Sequence, residues 1–309
     1  MRLDPLIRLC PPGFEIVLAD IGSAGGLKDR WLPARAVVSA LLFEPRDEGE
    51  AKQQGRDMLY PVALGPAAGR ATLNLTALPN MSSTLSPNRP LLETFRKKGE
   101  HTKIVSTLDM PVDTLDALAA REGRTIDAIK VDTQGSELGI LEGARTCLSN
   151  SVVMAEVEVS FFPRYSGQAL ADDIIGFMRE QGFELLDLYR LKRYRRKNAE
   201  GIANISLGRG QRAGRLAYGD ALFFLEESRL LARIEALPRA EGEALALKAI
   251  LSLIVYGKPD MAAWLFDATA PLFEEARREA VAKYLKSLGR RWLRSNAAHH
   301  LLDYLGRHV

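Results

Sequence analysis

The chain is short of cysteine, histidine, long apolar runs and net charge, and each shortage removes a class of explanation. Two cysteines, Cys10 and Cys147, cannot build a disulfide framework and point to a reducing cytoplasm. The four histidines, His101, His299, His300 and His308, are not spaced with carboxylates as metal ligands, so no metal site is expected. No apolar stretch approaches the roughly 18 residues of a membrane span. The opening MRLDPLIRLCPPGF, interrupted by Asp4, Arg8, Pro11 and Pro12, does not read as a signal peptide. Neither a Gly-x-Ser-x-Gly elbow nor a Walker loop occurs, which leaves hydrolase and kinase readings without support. Lys and Arg number 42 against 39 Asp and Glu, so a net charge of +3 makes no global case for nucleic acid.

What the chain does have is 309 residues, 47% of them hydrophobic, enough for one large domain and an appendage. Residues 1–14 read as a lead-in with one short helix stopped by the prolines. Glu15 to Ile21 (EIVLADI) is a buried-strand pattern running into Gly22-Ser23-Ala24-Gly25-Gly26, after which a helix is expected. Glycines there let the backbone approach a ligand, and a helix N-terminus would offer free N–H groups. Ala36 to Phe43 is a second strand, closed by Glu44 and Pro45; an acid at that position can accept hydrogen bonds from ribose hydroxyls. A third strand is expected over 57–64, an extra one over 69–75, a polar loop over 81–85 and a linker or mobile lid over 86–100. Another strand (103–108) and a short helix (112–122) follow.

Ile126 to Ala144 (IDAIKVDTQGSELGILEGA) concentrates the carboxylates. A short apolar strand ends at Asp132, Gly135 makes a tight loop, and a helix starts with Glu137 in its first turn. In an open α/β sheet that junction lies at the ligand-binding edge. The next strand, 152–159, carries Glu156 and Glu158 on one face. An amphipathic helix (170–181) capped by Gly182 precedes two strands, 183–189 and 218–225, with no helix between them. That order predicts a mostly parallel sheet with one antiparallel strand inserted near its edge.

Between those two strands lies a basic segment: Arg190, Lys192, Arg193, Arg195, Arg196, Lys197, Arg209, Arg212 and Arg215 against Glu200 alone. It is too long for a hairpin turn, so an insertion or flap is expected, either merely solvated or attracting an anionic acceptor. Little aromatic interleaving argues against RNA, and no nucleic acid partner is expected. After Glu226 helical patterns follow one another, at about 226–236, 240–256, 260–268 and 271–305, punctuated by Pro238, Gly257-Lys258-Pro259 and Pro271. Trp264 and Trp292 read as core residues. The division expected is therefore 1–225 and 226–309.

Lys130, Asp132, Gln134, Gly135 and Glu137 resemble the Lys-x-Asp-x-Glu-Gly-x-Glu signature of the FkbM family of S-adenosylmethionine (SAM) dependent methyltransferases, with Gln134 in place of the family's Glu. Asp20-Ile21-Gly22, Phe43-Glu44-Pro45, Ala63-Leu64-Gly65 and the Ser82-Ser83 loop follow the same order, and the resemblance covers about residues 15–225. It implies a Rossmann-like class I methyltransferase sheet, here with a C-terminal all-helical extension. It also implies SAM as cofactor, bound by Asp20, Gly22, Ser23, Ala24, Gly26, Glu44, Ala63 and Asp132. Catalytic roles would fall to Asp132 first, then Glu137 and Glu156, with Glu137 orienting the loop or meeting the acceptor. Ser82, Ser83 and Gln134 would shape the acceptor site. The activity implied is O-methylation of a sugar, glycan or related metabolite, which the basic segment allows to be anionic, in the cytoplasm. The alternative is a non-catalytic binding or scaffold module using residues 226–309 for a homodimer or a protein partner; a NAD oxidoreductase ranks third.

Overall fold

The computed structural model describes residues 3–23, 26–47, 49–203 and 213–289. In chain order its elements are α1 (Asp4–Ile7), β1 (Ile16–Ile21), β2 (Val38–Phe43), β3 (Lys52–Gln54), β4 (Asp57–Tyr60), β5 (Ala63–Leu64), β6 (Gly69–Thr76), α2 (Arg89–Leu92), α3 (Lys98–His101), β7 (Ile104–Asp113), α4 (Leu115–Glu122), β8 (Ala128–Val131), α5 (Glu137–Glu142), α6 (Arg145–Asn150), β9 (Met154–Ser160), α7 (Ala171–Glu180), β10 (Phe183–Tyr194), β11 (Arg215–Leu225), α8 (Glu227–Glu235), α9 (Arg239–Val255) and α10 (Pro259–Thr269). Two compact units result: residues 17–27 with 39–226, and residues 1–16 with 28–38 and 227 onward.

The first unit is mixed α/β. Among the described residues an eight-stranded sheet runs in the order β10-β11-β9-β8-β1-β2-β4-β3. Pairings β1/β8, β8/β9 and β2/β4 are parallel, while β11 lies antiparallel between β9 and β10. Every residue of β1, β2, β8 and β9 is buried. Strands covered on both faces read as continuous apolar runs, so the charges embedded in these runs stand out. Helix α7 buries Ile174, Phe177 and Met178, one face at helical spacing.

Five expectations are corrected here. No α-helix follows the Gly-rich loop; a 3₁₀ stretch, Asp29–Val37, takes its place. Pro33 lies inside it, removing an amide donor and restricting Leu32 before it, which breaks an α-helix. The expected strand 57–64 is two strands: β4 ends at Tyr60, Pro61 cannot continue a ladder, and β5 joins β7 and β6 in a separate three-stranded sheet. Strand β7 also outlasts its expected end, because the following helix begins only at Thr114, whose Oγ1 accepts from Ala117 N. Residues 86–100 are no loose linker. They form α2 and α3, and Leu92 and Phe95 are fully buried with Phe162, Tyr194 and Ala217. Last, much of the basic segment is strand: β10 continues to Tyr194 and β11 begins at Arg215. Exposed edge positions carry polar residues on both faces, so alternation does not mark them. Arg209 and Arg212 lie outside the described residues.

The second unit gathers helices. Helix α9 is buried around most of its circumference, from Ala246 to Ile254, against α8, α10 and the 3₁₀ turn Ala270–Leu272. Residues at the start of the chain share this unit: Leu6 of α1 is fully buried, and Trp31 meets Tyr256 edge-on at 5.7 Å. Arg239 donates to the Leu272 carbonyl at 2.9 Å, and Arg277 pairs with Glu243. Helical turns resume at 275–289. Trp264, expected in the core, is 38% exposed; Trp292, His299, His300 and His308 lie outside the described residues. No helix of the described residues is long and apolar enough to cross a membrane.

Candidate functional site

The parallel register of β1, β8 and β9 sets Asp20 beside Lys130 and Lys130 beside Glu156. All three are buried. Lys130 Nζ lies 3.2 Å from Asp20 Oδ1 and 3.9 Å from Asp132 Oδ2. A buried charge is tolerated when opposite charges face it. Burial alone would push the Lys130 ammonium down, but Asp20 first, then Asp132 and Glu156, outweigh it and hold the group above its ordinary value. Lys130 is therefore a fixed cation in the sheet. Asp132, two residues further along the chain, has a side chain 35% exposed and is the member of the group that opens outward.

Where β8 ends, the chain turns sharply. Gly22, with φ of +80°, sits so close that a Cβ there would lie 2.1 Å from the Asp132 carbonyl oxygen. Only glycine fits such an approach. Glu137, at the start of α5, braces the loop from inside: its carboxylate accepts from Gly135 N at 2.9 Å and from Thr133 N at 3.0 Å. Burial raises the Glu137 carboxyl, and these backbone amides oppose the rise. Gln134 holds a left-handed backbone, φ +62°, which aims its side chain back across the sheet edge.

That side chain is the hub of the site. Gln134 Nε2 donates to Asp132 Oδ1 at 3.0 Å and to both Glu158 oxygens at 3.1 and 3.2 Å. Its Oε1 accepts from Arg164 Nη1 at 3.2 Å. Arg164, fully buried, also pairs with Glu158, donates from Nε to Ser160 Oγ at 3.0 Å, and lies 4.3 Å over the Tyr218 ring. Gln168 ties the same corner by donating to Ser160 Oγ at 2.8 Å and accepting from Arg164 N at 3.0 Å. Burial pushes the Glu158 carboxyl up to about 8; Arg164 opposes the rise, and Asp132 and Glu137 add to it. The Arg164 guanidinium is held firmly charged by Glu158 against its own burial.

The end of β2 adjoins this edge, because Gly22 N and Ser23 N both donate to the Phe43 carbonyl, at 3.1 and 3.2 Å. Glu44 follows, its carboxylate held by Arg46 Nε at 2.8 Å and Nη2 at 2.7 Å. Burial raises the Glu44 carboxyl, but these Arg46 bonds and charge outweigh it and leave it below the ordinary value. Gly26 N turns back to Ser23 O at 2.8 Å. Ala24 lies outside the described residues.

The structure thus brings Asp20, Gly22, Ser23, Glu44, Asp132, Gln134, Glu137 and Glu156 to one edge. Ser82 and Ser83 are held on a loop whose hydroxyls face its own backbone: Ser82 Oγ accepts from Thr76 N at 3.1 Å and Ser83 Oγ from Leu85 N at 3.0 Å. That loop reaches the edge through neighbours, since Tyr165 Oη donates to Met81 O at 2.9 Å and Leu85 packs on Gly135. Ala63 belongs to the small sheet, paired with Val112. Sequence reasoning gave no role to Arg164 or Gln168, and marked Glu158 only as one of a polar pair with Glu156, either functional or at a solvated strand end. A lone arginine in Phe162-Pro163-Arg164-Tyr165, directly after a buried strand, is the signal that could have found the first.

A group of this kind can hold a cation or hydroxyls near Asp132 and accept a proton there, over a charged base that does not move. The family model described as methyltransferase FkbM domain matches residues 28–185. Among solved structures, the crystal structure of a methyltransferase FkbM from Methylobacillus flagellatus KT is 13% identical, with a TM-score of 0.31. The alignment covers 68% of this chain and 43% of that one, so the chain spans less than half of that protein. No curated protein matches the chain.

Proposed function

The chain belongs to the FkbM methyltransferase family, and on that premise we propose that it transfers a methyl group from S-adenosylmethionine to a hydroxyl of a sugar, glycan or related metabolite. The observation that carries this reading is Asp132: a part-exposed carboxylate set between a buried Lys130–Asp20 pair and the Gln134–Glu158–Arg164 network.

The donor set fits SAM. Glu44 offers an acidified carboxylate suited to vicinal ribose hydroxyls, and Gly22 and Gly26 leave the neighbouring backbone without side chains. The acids at this edge, Asp132 and Glu156 foremost, suit a cationic centre. Gly22 N and Ser23 N are engaged by Phe43 O, so the loop would contribute close approach rather than amide donors. Asp20 would act from below, by fixing Lys130. When bound, SAM supplies an electrophilic methyl carried on a sulfonium.

The chain's own residues would position and deprotonate. Asp132 would take the proton of the acceptor hydroxyl, Gln134 would aim that carboxylate, Lys130 would fix it from below, and Glu137 would keep the loop closed. Isothermal titration tests the cofactor: SAM is expected to bind and NAD not to, and binding of NAD with none of SAM would overturn the reading. A second reading, a non-catalytic binding module using the helices from Glu227 onward, draws its support from Gln134, which replaces an ionisable side chain with an amide. A failure of SAM to bind the full chain would favour it.

A further inference from the structure

The stretches 94–98 and 194–197 are tied into one surface. Phe95 and Arg196 form an antiparallel bridge, Arg96 N donates to Arg195 O at 2.9 Å, and Lys197 N donates to Thr94 O at 2.9 Å. Beneath lies a closed set of rings. Phe95 stacks on Phe162 at 5.4 Å, and Tyr194 meets both edge-on, at 5.5 and 5.8 Å. Each ring is 2% exposed or less.

Each ring also carries a cation on its face: Arg196 over Phe95 at 5.0 Å, Lys98 over Tyr194 at 4.4 Å and Arg215 over Phe162 at 4.4 Å. Such contacts attract and orient the charge without neutralising it. Among the described residues none of the three pairs with a carboxylate; Glu93, the acid of the nearest helix end, is held by Arg89. Burial, and then the charge of Arg164, push the Lys98 ammonium below its ordinary value. Three positive charges, two on exposed side chains and one half-buried, therefore surround one ring cluster without a counter-ion among the described residues.

We propose that Lys98, Arg196 and Arg215 form a binding site for a phosphate or sulfate group, and that this group belongs to the acceptor that the chain methylates. The second half rests on the methyl-transfer reading; the first does not. Cations fixed at three points around one surface suit a multiply charged oxyanion, which accepts several charge-assisted hydrogen bonds at once. The rings cannot serve as a stacking platform for nucleic acid bases, because they are buried beneath the cations.

The test is calorimetry on the full chain with inorganic pyrophosphate, then with glucose 6-phosphate, glucose 6-sulfate and unmodified glucose. Pyrophosphate and at least one of the two esters are expected to bind, glucose not; which ester binds more tightly identifies the group. Lys98→Gln, Arg196→Gln and Arg215→Gln should each weaken pyrophosphate by about tenfold. SAM affinity and melting temperature should stay at the parent values, which rules out misfolding as the cause. Pyrophosphate affinity unchanged in all three variants would overturn the proposal. So would tighter binding of a short RNA or of phosphatidylserine vesicles that pyrophosphate does not displace. If SAM does not bind but pyrophosphate binding depends on the three cations, the methyl-transfer reading falls and the anion site stands.

Discussion

Gln134 and Glu158 meet where two acids alone would repel: the Gln134 amide donates to Glu158 Oε2 at 3.1 Å while holding Asp132 Oδ1 at 3.0 Å. The residue that departs from the family signature is thus the one that separates two carboxylates and accepts from Arg164. Gln134→Glu would remove the donor and add a third acid beside one guanidinium. The expected cost is about 1–3 kcal/mol above pH 8, where Glu158 is ionised, and less at pH 6, where it holds its proton. Thermal melts at the two pH values check this; equal losses at both would show that charge is not the reason for the amide.

Glu158 sets a pH dependence of stability with a definite sign. Its carboxyl rises from 4.5 in the unfolded chain to about 8 in the fold, through burial and the neighbouring Asp132 and Glu137 against the opposition of Arg164. The folded protein therefore holds that proton more tightly. The resulting stabilisation is complete below pH 4.5 and is lost as pH rises through about 8. Urea denaturation across that window should show Glu158→Gln flattening the decline. A slope identical to that of the parent would remove Glu158 as its source.

Gly22→Ala should be severe. The added methyl would meet the Asp132 carbonyl at 2.1 Å, and the backbone there is left-handed at φ +80°. A shift of the β8 end is unavoidable, costing about 2–4 kcal/mol from strain and displaced packing. Chemical denaturation gives the loss, and SAM titration should show weakened binding as the edge moves.

The thiols should be inert in the fold. Burial first, then a hydrogen bond and the charge of Asp116, push Cys147 up to about 12; burial also pushes Cys10 up to about 12, against Arg277. At pH 8 neither is expected to react with iodoacetamide over minutes, whereas both react once the chain is unfolded. Rapid labelling of the native protein would contradict these environments.

Much of the central sheet was legible because its strands are apolar runs punctuated by glycine: 16–21, 38–43 and 128–131 lie within the expected stretches, and 154–160 passes its expected end by one residue. Acids at strand ends, Asp20, Glu44 and Asp132, were legible for the same reason, as polar residues where the pattern calls for apolar ones. Proline-driven effects were harder. Pro33 turned an expected helix into a 3₁₀ stretch, and Pro61 moved Ala63 to another sheet. Arg164 was illegible by spacing, since its partners Gln134, Glu158 and Tyr218 meet only through tertiary packing. The 86–100 segment misled by composition: all its charged residues but Lys98 face outward, while Leu92 and Phe95 anchor it.

The central claim, methyl transfer with Asp132 as the base, is tested most directly by Asp132→Asn. Label transfer from methyl-labelled SAM to a panel of sugars and sugar phosphates would be measured alongside SAM calorimetry. Transfer should fall by about 10²–10⁴-fold with SAM affinity within a few-fold of the parent. Full transfer by the Asp132→Asn protein would contradict the account.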